Sequence, residues 1–218
     1  MSMLDQLMQK PWAIDQSKID DLYVGAGYPG VRKKIALRVF LAVVAVFFTL
    51  LLTAYGGRMV YEDWRPAPQM GLLWANTFLL ILSSVAMQWA HYSVRREKID
   101  AMRVGLLVGG AFTLVFLFGQ FLAWRQLAMM VSFDVTNPAI GFFYMITGLH
   151  GLHLLGGLVA WGRTVLKVWG EFEVATVRQS VELCTTYWHF LLLVWLVLFG
   201  LLFSGNNLDL LLKLCGIR

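Results

Sequence analysis

The sequence predicts an all-α protein, a bundle of five transmembrane helices with its N-terminus in the cytoplasm and its C-terminus outside. Three observations carry that prediction. Of 218 residues, 59% are hydrophobic and 14% charged, against about 25% charged in an ordinary soluble domain. Five windows hold no Asp, Glu, Lys or Arg: residues 39–57, 66–94, 104–124, 135–162 and 183–208. They cover 123 residues, so all 31 charges fall in the other 95, where an even spread would leave roughly 17 inside the windows. The third observation is the side on which the basic residues fall.

A hydrocarbon core about 30 Å thick needs about 20 apolar helical residues to span it. Backbone polar groups in lipid must be satisfied within the segment, which makes each window a helix. Barrel strands would be shorter and would alternate polar with apolar residues. A soluble enzyme, a nucleic-acid binder and a disordered chain are excluded. With five spans, one side of the membrane holds 13 of the 18 Lys and Arg residues, including Arg32, Lys33, Lys34, Arg95, Arg96, Arg163 and Arg178. The positive-inside rule places that side in the cytoplasm. The net charge of +5 therefore serves topology and anionic lipid rather than nucleic acid.

Residues 1–34 lack an apolar h-region and read as a cytoplasmic arm, ending in the turn-rich Val24-Gly25-Ala26-Gly27-Tyr28-Pro29-Gly30. Span one runs from about Ile35 to Gly57, and Arg38 can snorkel to the headgroups. In the loop that follows, Tyr61 and Trp64 suit an interface belt. Span two covers about Gly71 to Tyr92 and closes on Arg95-Arg96. Span three is Val104 to Trp124, where Gly105 and Gly109 permit close helix contact. Span four opens after Asn137-Pro138 and ends near Gly162. Span five runs from about Leu183 to Phe203, and the tail 206–218 is short and interfacial. Cys184 and Cys215 fall at opposite ends of span five and read as inert small hydrophobes.

Polar residues inside spans are costly and mark candidate sites. In span two, Asn76, Thr77, Ser83, Ser84, Gln88 and His91 fall on one stripe at 100° per residue. Such a stripe either hydrogen-bonds to neighbouring helices or lines a ligand or proton route. Span four carries His150 and His153, at i and i+3. Span five carries Glu182 and, seven residues on, His189. His153 lies about 14 Å from the inner end of span four and His189 about 9 Å from that of span five, at similar depth. Two readings stay open at this point: a bis-histidine haem seated among Gly148, Gly151, Gly156 and Gly157, or histidines that hydrogen-bond between helices or meet lipid. Copper has no supporting Cys or Met pattern. Glu182 is a solvated or histidine-paired carboxylate, or a proton relay.

The run Phe142-Phe143-Tyr144-Met145-Ile146-Thr147-Gly148-Leu149-His150-Gly151-Leu152-His153 resembles subunit III of haem–copper terminal oxidases. So does Glu182 followed by Tyr187-Trp188-His189-Phe190 and Val194-Trp195. The run Leu73-Trp74-Ala75-Asn76-Thr77-Phe78-Leu79-Leu80, with Ser83-Ser84, is similar to the next-to-first helix of the family's five-helix form. The resemblance extends over about residues 35–205 and implies a non-catalytic subunit of a bacterial inner-membrane oxidase, cytochrome c rather than quinol dependent, with its C-terminus in the periplasm. It implies packing on subunit I beside subunit II, bound phospholipid, support of proton uptake and durability, and haem and copper in the partner subunits only. His150, His153, Glu182 and His189 are then lipid-binding or interhelical polar residues. Trp74, Asn76, Ser83, Ser84 and Gln88 are candidates for the subunit I interface. The alternatives are an accessory protein of nitric oxide reductase, a quinol oxidase subunit and, from another class, a stand-alone di-histidine b-type cytochrome.

The chain departs from the resemblance at three positions. Val44 stands where the family usually has an acid in the first span, Asn76 where other members are commonly acidic, and Leu192 where an Asp often follows the YWHF histidine by three residues. This depletion favours structural and lipid-holding work over proton carriage.

Overall fold

The computed structural model of the chain describes residues 29–65, 68, 70–131, 137–170 and 174–203. They form five helices: α1 Pro29–Arg58, α2 Leu72–Arg95, α3 Ile99–Met130, α4 Pro138–Trp169 and α5 Val174–Phe203. All five are long and apolar enough to cross a membrane, and no strand occurs among the described residues. The all-α, five-span architecture therefore matches the sequence reading. Residues 1–28 of the predicted arm and the predicted tail, with Cys215, lie outside the described residues.

The helices outrun the uncharged windows. α4, expected to stop near Gly162, continues through Arg163 and Lys167 to Trp169, and α5 begins at Val174 rather than Leu183. A charge-free window measures hydrocarbon thickness, whereas helical hydrogen bonding continues into the headgroup region. There the apolar stems of Lys and Arg lie along the helix and their charges reach water. The two extensions are tied together where Lys167 Nζ donates to Ser180 Oγ at 3.4 Å.

Turn chemistry sets the helix order. α4 starts where the sequence places it: the Asn137 side chain accepts from the Ala139 amide at 3.1 Å, with Pro138 in the first turn. Proline loses nothing there, because the first amides of a helix have no internal acceptor. Asn137 Nδ2 also donates to the Arg65 carbonyl at 2.8 Å, joining the two loops on that side. On the other side α2 and α3 are separated by three residues. Glu97 holds a left-handed φ of 58° there, and the Lys98 amide donates back to the Ser93 carbonyl at 3.0 Å. A left-handed residue just past a helix end reverses the chain and caps the last carbonyls.

The chain divides into two compact units at Phe40 and Leu41, within α1. Of the first, the described residues are the opening turns of α1. In the second, α2 packs on α3 and α5, and α4 packs on α5 and α3. Val44, Phe48 and Tyr55 of α1, with Met59 just past its end, share a buried cluster with Ile146 of α4 and Val194 and Leu198 of α5. The two threonines of α1 bond within their own helix, Thr49 donating to the Ala45 carbonyl and Thr53 to the Thr49 carbonyl.

Lipid is as apolar as a leucine side chain, so helices in it associate through close packing and polar contacts. The α2–α3 seam uses both. A Cβ added at Gly105 would stand 2.9 Å from the Ala90 Cβ, and one at Gly109 would stand 2.8 Å from the Met87 Sδ. At Gly156 on α4 a Cβ would meet nothing within 4 Å. Gly105→Val is therefore expected to destabilise the bundle by about 1–3 kcal/mol through overpacking, while Gly156→Ala changes little. Thermal unfolding of the full chain in detergent checks this, and equal melting of the two variants would contradict the seam.

Candidate functional site

The polar stripe of α2 faces the bundle interior from Asn76 to Ser84 and reaches the surface at Gln88. Asn76, Thr77, Ser83 and Ser84 are all buried. Asn76 Nδ2 donates to Gln120 Oε1 of α3 at 3.4 Å. Thr77 Oγ1 donates to its own Leu73 carbonyl and accepts from Trp195 Nε1 of α5 at 3.0 Å. Midway along α2, Ser83 Oγ lies 2.7 Å from both Thr113 Oγ1 and the Gly109 carbonyl of α3. Trp188 Nε1 of α5 is 3.0 Å from both hydroxyls and donates to them. One turn on, the Thr185 hydroxyl of α5 donates to the Met87 carbonyl at 3.2 Å.

The same device joins α4 to its neighbours. Trp124 Nε1 of α3 donates to Thr147 Oγ1 at 3.0 Å, and Trp161 Nε1 of α4 donates to the Leu106 carbonyl at 2.9 Å. Tyr144 of α4 donates to the Trp124 carbonyl and Tyr187 of α5 to the His153 carbonyl, both at 2.9 Å. An aromatic side chain with one N–H or O–H suits this work: the ring fills apolar space and the polar tip closes one bond on the next helix.

Ser84 and Gln88 of α2 meet His189 of α5. His189 Nδ1 is 2.5 Å from Ser84 Oγ, and His189 Nε2 is 2.9 Å from Gln88 Oε1. A carboxamide oxygen only accepts, so Nε2 carries the proton toward Gln88. In the neutral ring, Nδ1 then accepts from the Ser84 hydroxyl. The three residues line an open groove of about 520 Å³ between α2 and α5.

The two histidines of α4 part company although they share a face. His150 is fully buried, with its ring 5.1 Å from Trp195, 6.2 Å from Phe116 and 6.5 Å from Phe48. Neither of its ring nitrogens has a hydrogen-bond partner among the described residues. His153 is half-buried, donates from Nδ1 to the Leu149 carbonyl at 2.7 Å and packs 5.5 Å from Phe48. His153 and His189 thus bond to different helices, and the similar depth expected for them does not bring them together. Glu182 is half-buried on α5, and its charge acts on His91 of α2 together with those of Arg95 and Arg178.

Of the residues expected at a protein interface, Trp74 and Gln88 reach the surface, with Trp74 58% exposed and its ring 4.9 Å from Phe199. Asn76 and Ser83 are at most 1% exposed, and their polar groups are engaged in hydrogen bonds inside the chain. His150 is equally enclosed within the chain. Sequence reasoning missed Thr113, Gln120 and the four tryptophan donors Trp124, Trp161, Trp188 and Trp195. Their signal was a hydroxyl, amide or indole on the inward face of each helix.

A family model described as cytochrome c oxidase subunit III matches residues 34–205. Cytochrome c oxidase subunit 3 of Synechocystis sp. is 30% identical over 190 residues, covering 81% of this chain and 77% of that protein. The subunit 3 of Thermostichus vulcanus is 29% identical over 178 residues, covering 78% and 85%. A probable cytochrome c oxidase subunit 3 of Mycobacterium leprae is 30% identical over 176 residues, covering 77% and 81%.

If the Ser83–Thr113–Trp188 cluster holds α5 on the α2–α3 pair, the Trp188 and Ser83 side chains must be energetically coupled. A double-mutant cycle with Trp188→Phe and Ser83→Ala, read as unfolding free energy in detergent, should return a coupling of about 0.6–1.7 kcal/mol. Strict additivity would remove the cluster from the list of helix-holding contacts.

Proposed function

The chain belongs to the cytochrome c oxidase subunit III family, and from that premise we propose that it is the non-catalytic subunit III of a bacterial respiratory oxidase. A member of this family is part of an oxidase complex, and five spans make it a multi-pass membrane protein. In the proposed role it packs on subunit I beside subunit II in the bacterial inner membrane, N-terminus in the cytoplasm. It holds phospholipid there and sustains proton uptake and durability during turnover, with cytochrome c as the electron donor.

The observation that carries this reading is where the intramembrane polar groups point. Asn76, Thr77, Ser83, Thr113, Thr147 and Ser84 all bond to a neighbouring helix of the same chain. A membrane protein that moves protons or electrons keeps polar groups aimed at its route; this one uses them to hold helices. In this reading haem and copper belong to the partner subunits. Both ring nitrogens of His189 are in hydrogen bonds, and His153 Nδ1 is bonded to its own helix, so ligation of a metal by His189 would break a contact between α2 and α5.

Affinity capture of the full chain from native membranes should recover a haem–copper subunit I and a copper-bearing subunit II in equal amounts. Recovery with a nitric oxide reductase core would overturn the assignment, as would a stoichiometric Soret band on the purified chain alone. Within the assembled oxidase, Glu182→Ala is expected to shorten the active lifetime several-fold during continuous oxygen consumption, with the initial rate near that of the wild type. Immediate loss of turnover in a fully assembled complex would place Glu182 in the chemistry instead.

A further inference from the structure

The groove between α2 and α5 is lined by two kinds of residue. Ile81, Val85 and Trp89 of α2 and Leu192 of α5 make apolar walls. Ser84, Gln88 and His189 make a polar strip between them, and Gln88 and His189 are exposed along it. A polar strip open to hydrocarbon is costly unless its groups are satisfied. The Ser84–His189–Gln88 chain satisfies all but one of them. With Gln88 Oε1 accepting from His189, the Gln88 amide NH₂ has no partner among the described residues. What the groove has left to offer is therefore hydrogen-bond donors, and its complement is an acceptor carried on an apolar body.

The groove also leads to fixed positive charge. Tyr92 lines its end one helical turn beyond Gln88. Arg96 donates to the Tyr92 hydroxyl and lies over its ring, the guanidinium carbon 4.1 Å from the centroid. Arg95 is beside it in sequence at the end of α2. Arg96 is thus held at the groove mouth rather than waving in solvent, in a position to meet an anion.

We propose that this groove seats an anionic glycerophospholipid of the leaflet on the Arg96 side. Its phosphate lies against Arg96 and Tyr92, a glycerol-ester carbonyl accepts from the Gln88 amide, and an acyl chain runs over Val85, Ile81 and Leu192 with Trp89 as a wall. The spacing fits. Tyr92 and Gln88 are four residues apart, about 6 Å along the helix, comparable to the drop from phosphate to ester carbonyl in a lipid standing in the membrane. Charge selects the headgroup, since one Arg near a membrane surface contributes about fivefold in affinity for anionic lipid. The inference rests on the lipid-holding reading above and names the lipid class and its seat.

Trp89 provides the readout. The full chain is reconstituted in phosphatidylcholine vesicles containing a minor fraction of phosphatidylglycerol or phosphatidylcholine brominated on its acyl chains. The quenching that is lost in Trp89→Phe reports the groove. Brominated phosphatidylglycerol should quench Trp89 at about fivefold lower mole fraction than brominated phosphatidylcholine. Arg96→Gln should bring the two lipids to parity, and Gln88→Leu should weaken quenching by phosphatidylglycerol. Equal quenching by the two lipids in the wild-type chain overturns the proposal without recourse to any variant. A preference that survives in both Arg96→Gln and Gln88→Leu overturns it too, as does a Trp89 in the assembled oxidase that neither lipid reaches, which would give the groove to a helix of a partner subunit. Failure to recover oxidase subunits with the chain would sink the subunit III assignment and leave the quenching result standing. Equal quenching would sink the groove and leave the co-purification standing.

Discussion

One point midway along α2 holds three helices together: Ser83 of α2, Thr113 of α3 and the indole N–H of Trp188 of α5. Its importance follows from the solvent. In water these helices would be driven together by burial of their apolar faces, but in lipid that drive is absent. What remains is packing and the bonds that polar groups make. Ser83 and Thr113 both also reach the Gly109 carbonyl, and that glycine lets α3 approach Met87 of α2. Trp188 then fixes α5 in both height and rotation, because a single N–H directed at two hydroxyls leaves little freedom in either. The flanking bonds from Trp195 to Thr77 and from Thr185 to Met87 keep the same register along the α2–α5 seam.

That register is what brings His189 to Ser84 and Gln88. His189 follows Trp188 directly, so once the indole points into the bundle the imidazole lies about 100° around the helix, at the rim of the α2–α5 contact. The groove is a consequence of the core. A one-turn slip of α5 would carry His189 out of reach of both partners and strand the polar groups of all three residues. The proposed accessory role and the proposed lipid seat therefore share one structural cause.

The sequence made the spans legible because lipid forbids charge across a fixed thickness, and the stripe on α2 legible because one helix carries its own periodicity. Periodicity names a face but not its partner. Nothing in the order of residues said that Asn76 would meet Gln120 or that Ser83 would meet Thr113 and Trp188, since those residues are 44, 30 and 105 positions away. His150 and His153 show the limit more sharply. Three residues apart on a helix is about 60° of rotation, enough for one ring to be enclosed by Trp195 and Phe116 while the other stays half-buried and bonds to its own Leu149 carbonyl. The helix ends were misjudged for a related reason. Charge marks where lipid stops, and α4 and α5 both continue past that mark, where Lys167 meets Ser180.

The scarcity of acids acquires a local meaning in the structure. Val44 is buried with Phe48 and Leu198, where a carboxylate would lie desolvated with no cation among its neighbours in that apolar cluster. Leu192 lines the groove three residues beyond His189. An aspartate there would stand on the same face of α5 and would compete with Gln88 for the imidazole N–H. It would also place a negative charge in a groove whose open donors and whose mouth at Arg96 both suit an anion. With leucine at 192 the imidazole stays shared between Ser84 and Gln88, and the groove stays neutral along its walls and positive at its end. In the proposed lipid seat, the absence of an acid at that position sets the sign of headgroup that the groove would accept.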